Sequence, residues 1–116
     1  MRHRKKGFTL DRKKGPRELL LGNLASSLIM YEKIVTTNAK AKATQSLVER
    51  LITLSKPKTI SARRQAAKFL PVKKAQAKLF EVLSVKYQNF SGGYTRIVKT
   101  GPRKGDGASL VRIELI

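Results

Sequence analysis

The chain changes character at Gly15-Pro16, and one packed fold cannot run through the change. Eight of the first 17 residues are basic (Arg2, Arg4, Lys5, Lys6, Arg12, Lys13, Lys14 and Arg17), joined by His3 and a single acid, Asp11. Apolar residues recur there at neither the 3.6-residue period of a helix nor the 2-residue period of a strand, so the segment has no face to bury. After Pro16 the periodicity is clear. The division predicts an extended basic N-terminal arm over residues 1–15 and one α+β globular domain over 16–116. Roughly 100 residues suffice to bury a single modest core.

Charge narrows what such a chain can do. The 116 residues include 26 Lys and Arg against 7 Asp and Glu, a formal net charge of +19. A folded body with that charge repels itself unless a polyanion neutralises it, so the composition predicts a nucleic-acid or anionic-membrane partner. Other chemistry is poorly supplied. The chain has no cysteine and one histidine, His3, which rules out disulfides and Cys-based zinc sites and gives no basis for a metal centre or a resident cofactor. The opening is charged where a secretory signal would be apolar, and no run approaches the roughly 20 apolar residues of a spanning helix. A soluble, intracellular protein is the expectation, with an organelle origin left open.

The elements follow from pattern and punctuation. Pro16 suits a first helical turn, and Arg17, Leu20, Leu21, Leu24, Leu28 and Tyr31 recur at helical spacing, which predicts a helix over 16–31. "KIVTT" is a short β-branched strand, closed by Thr37 and Asn38 as cap residues for the next helix. In "NAKAKATQSLVERLITLSK" Ala43, Leu47, Val48, Leu51, Ile52 and Leu54 make one stripe. "SARRQAAKFL" reads as a short third helix ending before Pro71. A fourth spans "VKKAQAKLFEVLSVKY", with Val72, Ala75, Leu79, Val82, Leu83 and Lys86 on one side. "YTRIVKT" and "SLVRIELI" read as an antiparallel hairpin joined by the glycine-rich "GPRKGDGA". The sum is a small antiparallel or mixed sheet of about three strands packed by about four helices.

Each candidate functional segment also has a plainer structural role. The arm fits phosphate neutralisation, in which each contact releases condensed counterions and adds roughly 0.7 to 0.9 to the salt slope. "SGGYTR" fits a tight turn that sends Tyr94 into the core; the alternative sets the amides of Gly92 and Gly93 and the Arg96 guanidinium against a phosphate. "GPRKGDGAS" lacks the Gly-Lys-Ser/Thr ending of a phosphate loop and precedes a strand. Seven scattered carboxylates give no acid and base pair, which argues against an enzyme acting on RNA. A DNA regulator would need a base-reading helix, and a membrane-active protein would need a free apolar face that the core here consumes.

The segments "MRHRKKGFTLDRKKGPRELLLGNLASSLI", "IVTTNAKAKATQSLVERLITLSK", "ARRQAAKFL", "AKLFEVL" and "GGYTRIVKTGPRKGDGASLVRIELI" resemble, in that order, the bacterial large-subunit ribosomal protein L-seventeen family. The resemblance covers essentially the whole chain. It implies a non-enzymatic structural constituent of the large subunit that assists assembly and translation in the cytoplasmic ribosome. It also implies an arm entering large-subunit (23S-type) ribosomal RNA near the exit of the peptide tunnel, with other large-subunit proteins as neighbours and neither a membrane nor a small-molecule substrate involved. Carried onto this chain, the RNA-contacting residues are Arg2, His3, Arg4, Lys5, Lys6, Arg12, Lys13, Lys14 and Arg17 in and beside the arm. In the body they are Lys40, Lys42, Arg63, Arg64, Tyr94, Arg96, Arg103 and Lys104.

Overall fold

The computed structural model describes residues 13–116. Strand β1 (Lys33–Thr37), strand β2 (Thr95–Pro102) and strand β3 (Ser109–Leu115) form an antiparallel sheet in the order β1-β3-β2. The last strand therefore sits in the middle, and every helix except the first lies in sequence between β1 and β2. Alternation of side chains decides the faces. Ile34, Ile113 and Ile97 stand in register on the inner face, while Val35, Arg112 and Val98 stand in register on the outer one. Val111 and Ile113 are fully buried, and helix α2 packs against β3.

The helices are α1 (Lys14–Tyr31), α2 (Asn38–Ser55), α3 (Ile60–Phe69), and a fourth rod built of α4 (Lys73–Lys78), a π-helical turn (Leu79–Leu83) and α5 (Ser84–Lys86). Four helical rods and a three-stranded sheet match the α+β expectation. Helix α1 starts at Lys14, two residues before the predicted boundary. Pro16 sits within its first turn, where N–H groups lack intrahelical partners in any case.

The buried face of α1 differs from the expected stripe. Gly22, Ala25, Ser26, Leu28 and Ile29 are buried, whereas Leu20, Leu21 and Leu24 are half-buried and Tyr31 is 71% exposed. Small residues face inward because the chain approaches closely there. A Cβ on Gly22 would lie 2.5 Å from the carbonyl oxygen of Phe69 and 3.2 Å from Cδ of Pro71. Helix α1 ends at Glu32, which holds the left-handed conformation (φ 66°) and donates its N–H to the Leu28 carbonyl at 2.7 Å. Lys78 reaches across from the fourth rod to the Met30 carbonyl at 3.1 Å, so a lysine helps satisfy the exposed end of α1.

The fourth rod also corrects the sequence reading. Ala75, Leu79, Phe80, Leu83, Ser84 and Tyr87 are buried, while Val72, Val82 and Val85 are exposed. Positions 75, 79, 83 and 87 recur every fourth residue, and on a 3.6-residue helix each such step overshoots the turn by about 40°. The wider π turn winds less per residue and returns these positions to the core. Below it, Tyr87, Phe90 and Tyr94 cluster, with the Tyr87 and Tyr94 ring centres 5.2 Å apart. The Tyr87 hydroxyl donates to the Ile116 carbonyl at 2.6 Å, which ties the end of β3 to the helices.

Candidate nucleic-acid interface

Helix ends carry the clearest electrostatic signal. A helix N-terminus is positive, so proteins stabilise it with Asp or Glu in the first turn, and a cation there costs about 0.3–1 kcal/mol. None of α1, α2, α3 and α4 has an acid in its first turn. Lys13 and Lys14 open α1, Lys40 and Lys42 lie near the start of α2, Arg63 and Arg64 near the start of α3, and Lys73 and Lys74 open α4. The body thus concentrates positive charge where its own backbone is already positive. Such an arrangement is unfavourable alone and becomes favourable against a polyanion.

The predicted residues sort into three groups. Lys13, Lys14, Lys42, Arg63, Arg64 and Lys104 are exposed, and Arg17 and Lys40 are half-buried. Arg96 and Arg103 are also exposed but engaged within the chain. Arg96 Nε lies 2.5 Å from a Glu114 carboxylate oxygen, whose other oxygen is 3.1 Å from Arg112 Nε. Arg103 clasps Asp106 inside the β2–β3 loop, and Ala108 donates its N–H to the same carboxylate at 3.1 Å. The Arg103 hydrogen bonds and that amide hold the Asp106 carboxyl far below the usual carboxylate range. A hydrogen bond from Arg96, opposed by partial burial and reinforced by the Arg96 and Arg112 charges, lowers Glu114 as well. Arg2, His3, Arg4, Lys5, Lys6 and Arg12 lie outside the described residues.

Tyr94 leaves the set of surface candidates. Its side chain is 1% exposed, and its hydroxyl is 3.0 Å from Thr53 Oγ1. Gly93 supplies the left-handed angle (φ 67°) that turns the chain so that the ring enters the core. Burial raises the Tyr94 phenol, but hydrogen bonding with Lys56 and Thr53 outweighs it and the net shift is downward. The ring is a structural anchor beneath the turn, and no base can stack on it.

Sheet register groups two of the remaining clusters. Thr37, at the start of α2, pairs with Leu110, which also faces Gly101. Lys40 and Lys42 therefore stand at the same end of the sheet as the loop that carries Arg103 and Lys104. A third cluster extends beyond the expected Arg63 and Arg64. From Leu51 to Phe80 there is no acid, yet Lys56, Lys58, Arg63, Arg64, Lys68, Lys73, Lys74 and Lys78 fall there. Lys58, Lys68, Lys73 and Lys74 are exposed alongside the two arginines. The absence of acid across 30 positions was the available signal; helical periodicity, which scores apolar faces, does not register it.

Among the described residues no group of His, Cys, Asp or Glu is arranged to hold a metal, and no helix is long and apolar enough to cross a membrane. The acids are mostly consumed by structure: Glu32 by Lys78 and Lys86, Asp106 and Glu114 by arginines, and Glu49 by the Thr95 N–H and hydroxyl.

Residues 20–116 match the family model described as Ribosomal protein L17. The chain belongs to the ribosomal protein L17 family. This is a family of structural ribosomal proteins and not of enzymes. Among its relatives, the large ribosomal subunit protein bL17 of Solibacter usitatus is 52% identical over the full chain, which covers 77% of that protein. The bL17 of Gemmatimonas aurantiaca is 51% identical, with 100% of this chain and 98% of the relative covered. That of Thermomicrobium roseum is 48% identical, with 100% and 99% covered. The L17 match begins at Leu20, so the basic segment ahead of it is supported by the full-length alignments to these relatives.

Proposed function

We propose that the chain is a structural constituent of the large subunit of the cytoplasmic ribosome and binds large-subunit ribosomal RNA by phosphate neutralisation. Its place is near the exit of the peptide tunnel among other large-subunit proteins, where it assists subunit assembly and translation. The observation that carries the RNA reading is the set of four helix starts with basic residues and no first-turn acid. Membership of the family supplies the particle. The basic residues ahead of α1 add to the same charge, and phosphate contacts of this kind fix position and register without reading sequence. Arg96 and Arg103 serve mainly to hold the outer sheet face and the β2–β3 loop, and each is able to share its guanidinium with a phosphate at the surface.

Titration of the full chain against large-subunit ribosomal RNA over a range of salt tests this reading. A variant with Lys5, Lys6, Lys13 and Lys14 replaced by glutamine is expected to lower the magnitude of the salt slope by roughly 3, at 0.7 to 0.9 per lost phosphate contact. An unchanged slope would refute phosphate neutralisation by these side chains.

A further inference from the structure

One cavity is lined by residues of the acid-free stretch from Leu51 to Phe80. It is a cleft of about 280 Å³ between α3 and α4, lined by Arg63, Lys73, Gln76, Ala77 and Phe80. Its chemistry is specific. Two cations and no acid line it, so it favours an anion. Ala77 and the Arg63 guanidinium, which is itself flat, favour a flat uncharged surface beside them. A nucleotide offers both in one unit.

Arg63 supplies the platform. Its guanidinium carbon lies 4.7 Å from the centre of the Phe80 ring, and that ring is only 2% exposed. Phe80 is thus covered and cannot itself stack on a base. It instead lies beneath the Arg63 guanidinium, while Arg63 as a residue remains exposed. Unpaired RNA bases stack on guanidinium planes as they do on aromatic rings, and a planar group already seated on a ring loses less freedom when it does so. Gln76 adds a preference. Its Nε2 donates to the Leu70 carbonyl at 2.7 Å, which fixes the amide orientation and leaves Oε1 as an acceptor. A base with an exocyclic amine satisfies it.

Resting on the ribosomal RNA reading above, we infer that the α3–α4 corner holds one unpaired nucleotide of that RNA. Its base stacks on Arg63, its exocyclic amine faces Gln76, and its phosphate lies toward Lys73. A paired base is excluded because its edge is occupied and its faces are covered by neighbours in the duplex. The contact adds a base-directed hold on the RNA to the phosphate contacts.

The test is chemical footprinting of large-subunit ribosomal RNA reconstituted with the full chain, using reagents that modify the Watson–Crick edges of unpaired bases. The wild-type chain is expected to protect a discrete unpaired adenine, cytosine or guanine. Arg63→Ala should abolish that protection, and Arg63→Lys, which keeps the charge and the cover over Phe80, should abolish it too while the protein stays bound. Circular dichroism checks that both variants keep their helices. If both variants bind and every base protection persists, the nucleotide site is wrong and the phosphate reading stands. If the wild-type chain binds this RNA in a salt-dependent way yet protects no base, the nucleotide site is wrong and the phosphate reading stands; if it does not bind this RNA at all, the ribosomal RNA reading itself fails, and the site with it.

Discussion

Gly22→Ala separates helix propensity from tertiary fit, and the structure sets the sign. In the interior of an isolated helix alanine is better than glycine by about 0.8–1.0 kcal/mol. Here the new Cβ would meet the Phe69 carbonyl oxygen at 2.5 Å, with Pro71 Cδ at 3.2 Å on another side. The near atom is backbone at the C-terminal end of α3, so relief requires α1 and α3 to separate by more than half an ångström. Overpacking of that kind costs about 1–3 kcal/mol. The net expectation is a loss of about 1 kcal/mol, which lowers Tm by about 4–8 °C for a domain of this size. Thermal unfolding followed by circular dichroism measures it. Asn23→Ala, at an exposed position of the same helix, is the control; it should leave Tm unchanged or raise it slightly. A Gly22→Ala protein as stable as the parent would refute the close approach of α1 to the α3–Pro71 corner, and with it the placement of Arg63 and Arg64 against the rest of the body.

Three further outcomes follow from particular contacts. Tyr94→Phe should cost about 0.5–1.5 kcal/mol in denaturant unfolding through loss of the Thr53 hydrogen bond, while RNA affinity of the folded protein stays unchanged; weakened binding at intact stability would return Tyr94 to the interface. Ser26 Oγ is buried and finds no partner among the described residues, so Ser26→Ala should be neutral or stabilising by up to about 1 kcal/mol, and a clear loss of stability would show a partner. Glu114 has its pKa lowered from 4.5 by the Arg96 hydrogen bond, so its contribution to stability is complete above that ordinary value and is lost as pH falls through the lower folded value. In a nuclear magnetic resonance titration its carboxyl should protonate below pH 4.5 and move upward in Arg96→Gln; no movement would break the assigned pair.

Much of the fold was readable because periodicity is a direct consequence of burial. The α2 stripe holds, with Val48, Leu51 and Ile52 fully buried and Leu47 and Leu54 packed at its margin. The hairpin holds because β-branched runs flank a loop with the glycines its backbone needs: Gly101, Gly105 and Gly107 all take positive φ. Two helix faces were misread for different reasons. In α1 the apolar count pointed to the leucines and Tyr31, yet close approach at Gly22 put the small residues inside, and closeness between distant segments leaves no mark in a local pattern. In the fourth rod a uniform 3.6 period was assumed, and the π turn at Leu79–Leu83 exchanged Val82 for Phe80.

The candidate interface was legible in charge and obscure in geometry. Lys42, Arg63, Arg64 and Lys104 are exposed as expected, whereas the burial of Tyr94 and the internal pairing of Arg96 and Arg103 depend on partners far away in the chain or across a loop. Glu114 alone accounts for Arg96 and Arg112, because β3 lies between its neighbours and brings residues 96 and 114 into register. Lys73 has no distinguishing mark in the sequence, and only the packing of α3 on α4 sets it beside Arg63.

The central claim is residence in the large ribosomal subunit through RNA. Sedimentation of the tagged full chain from a gentle lysate, through a gradient that resolves the subunits and with or without ribonuclease, tests it most directly. The account predicts comigration with the large subunit and loss of that comigration when the RNA is digested. Migration as a light species, or with DNA regardless of ribonuclease, would contradict it.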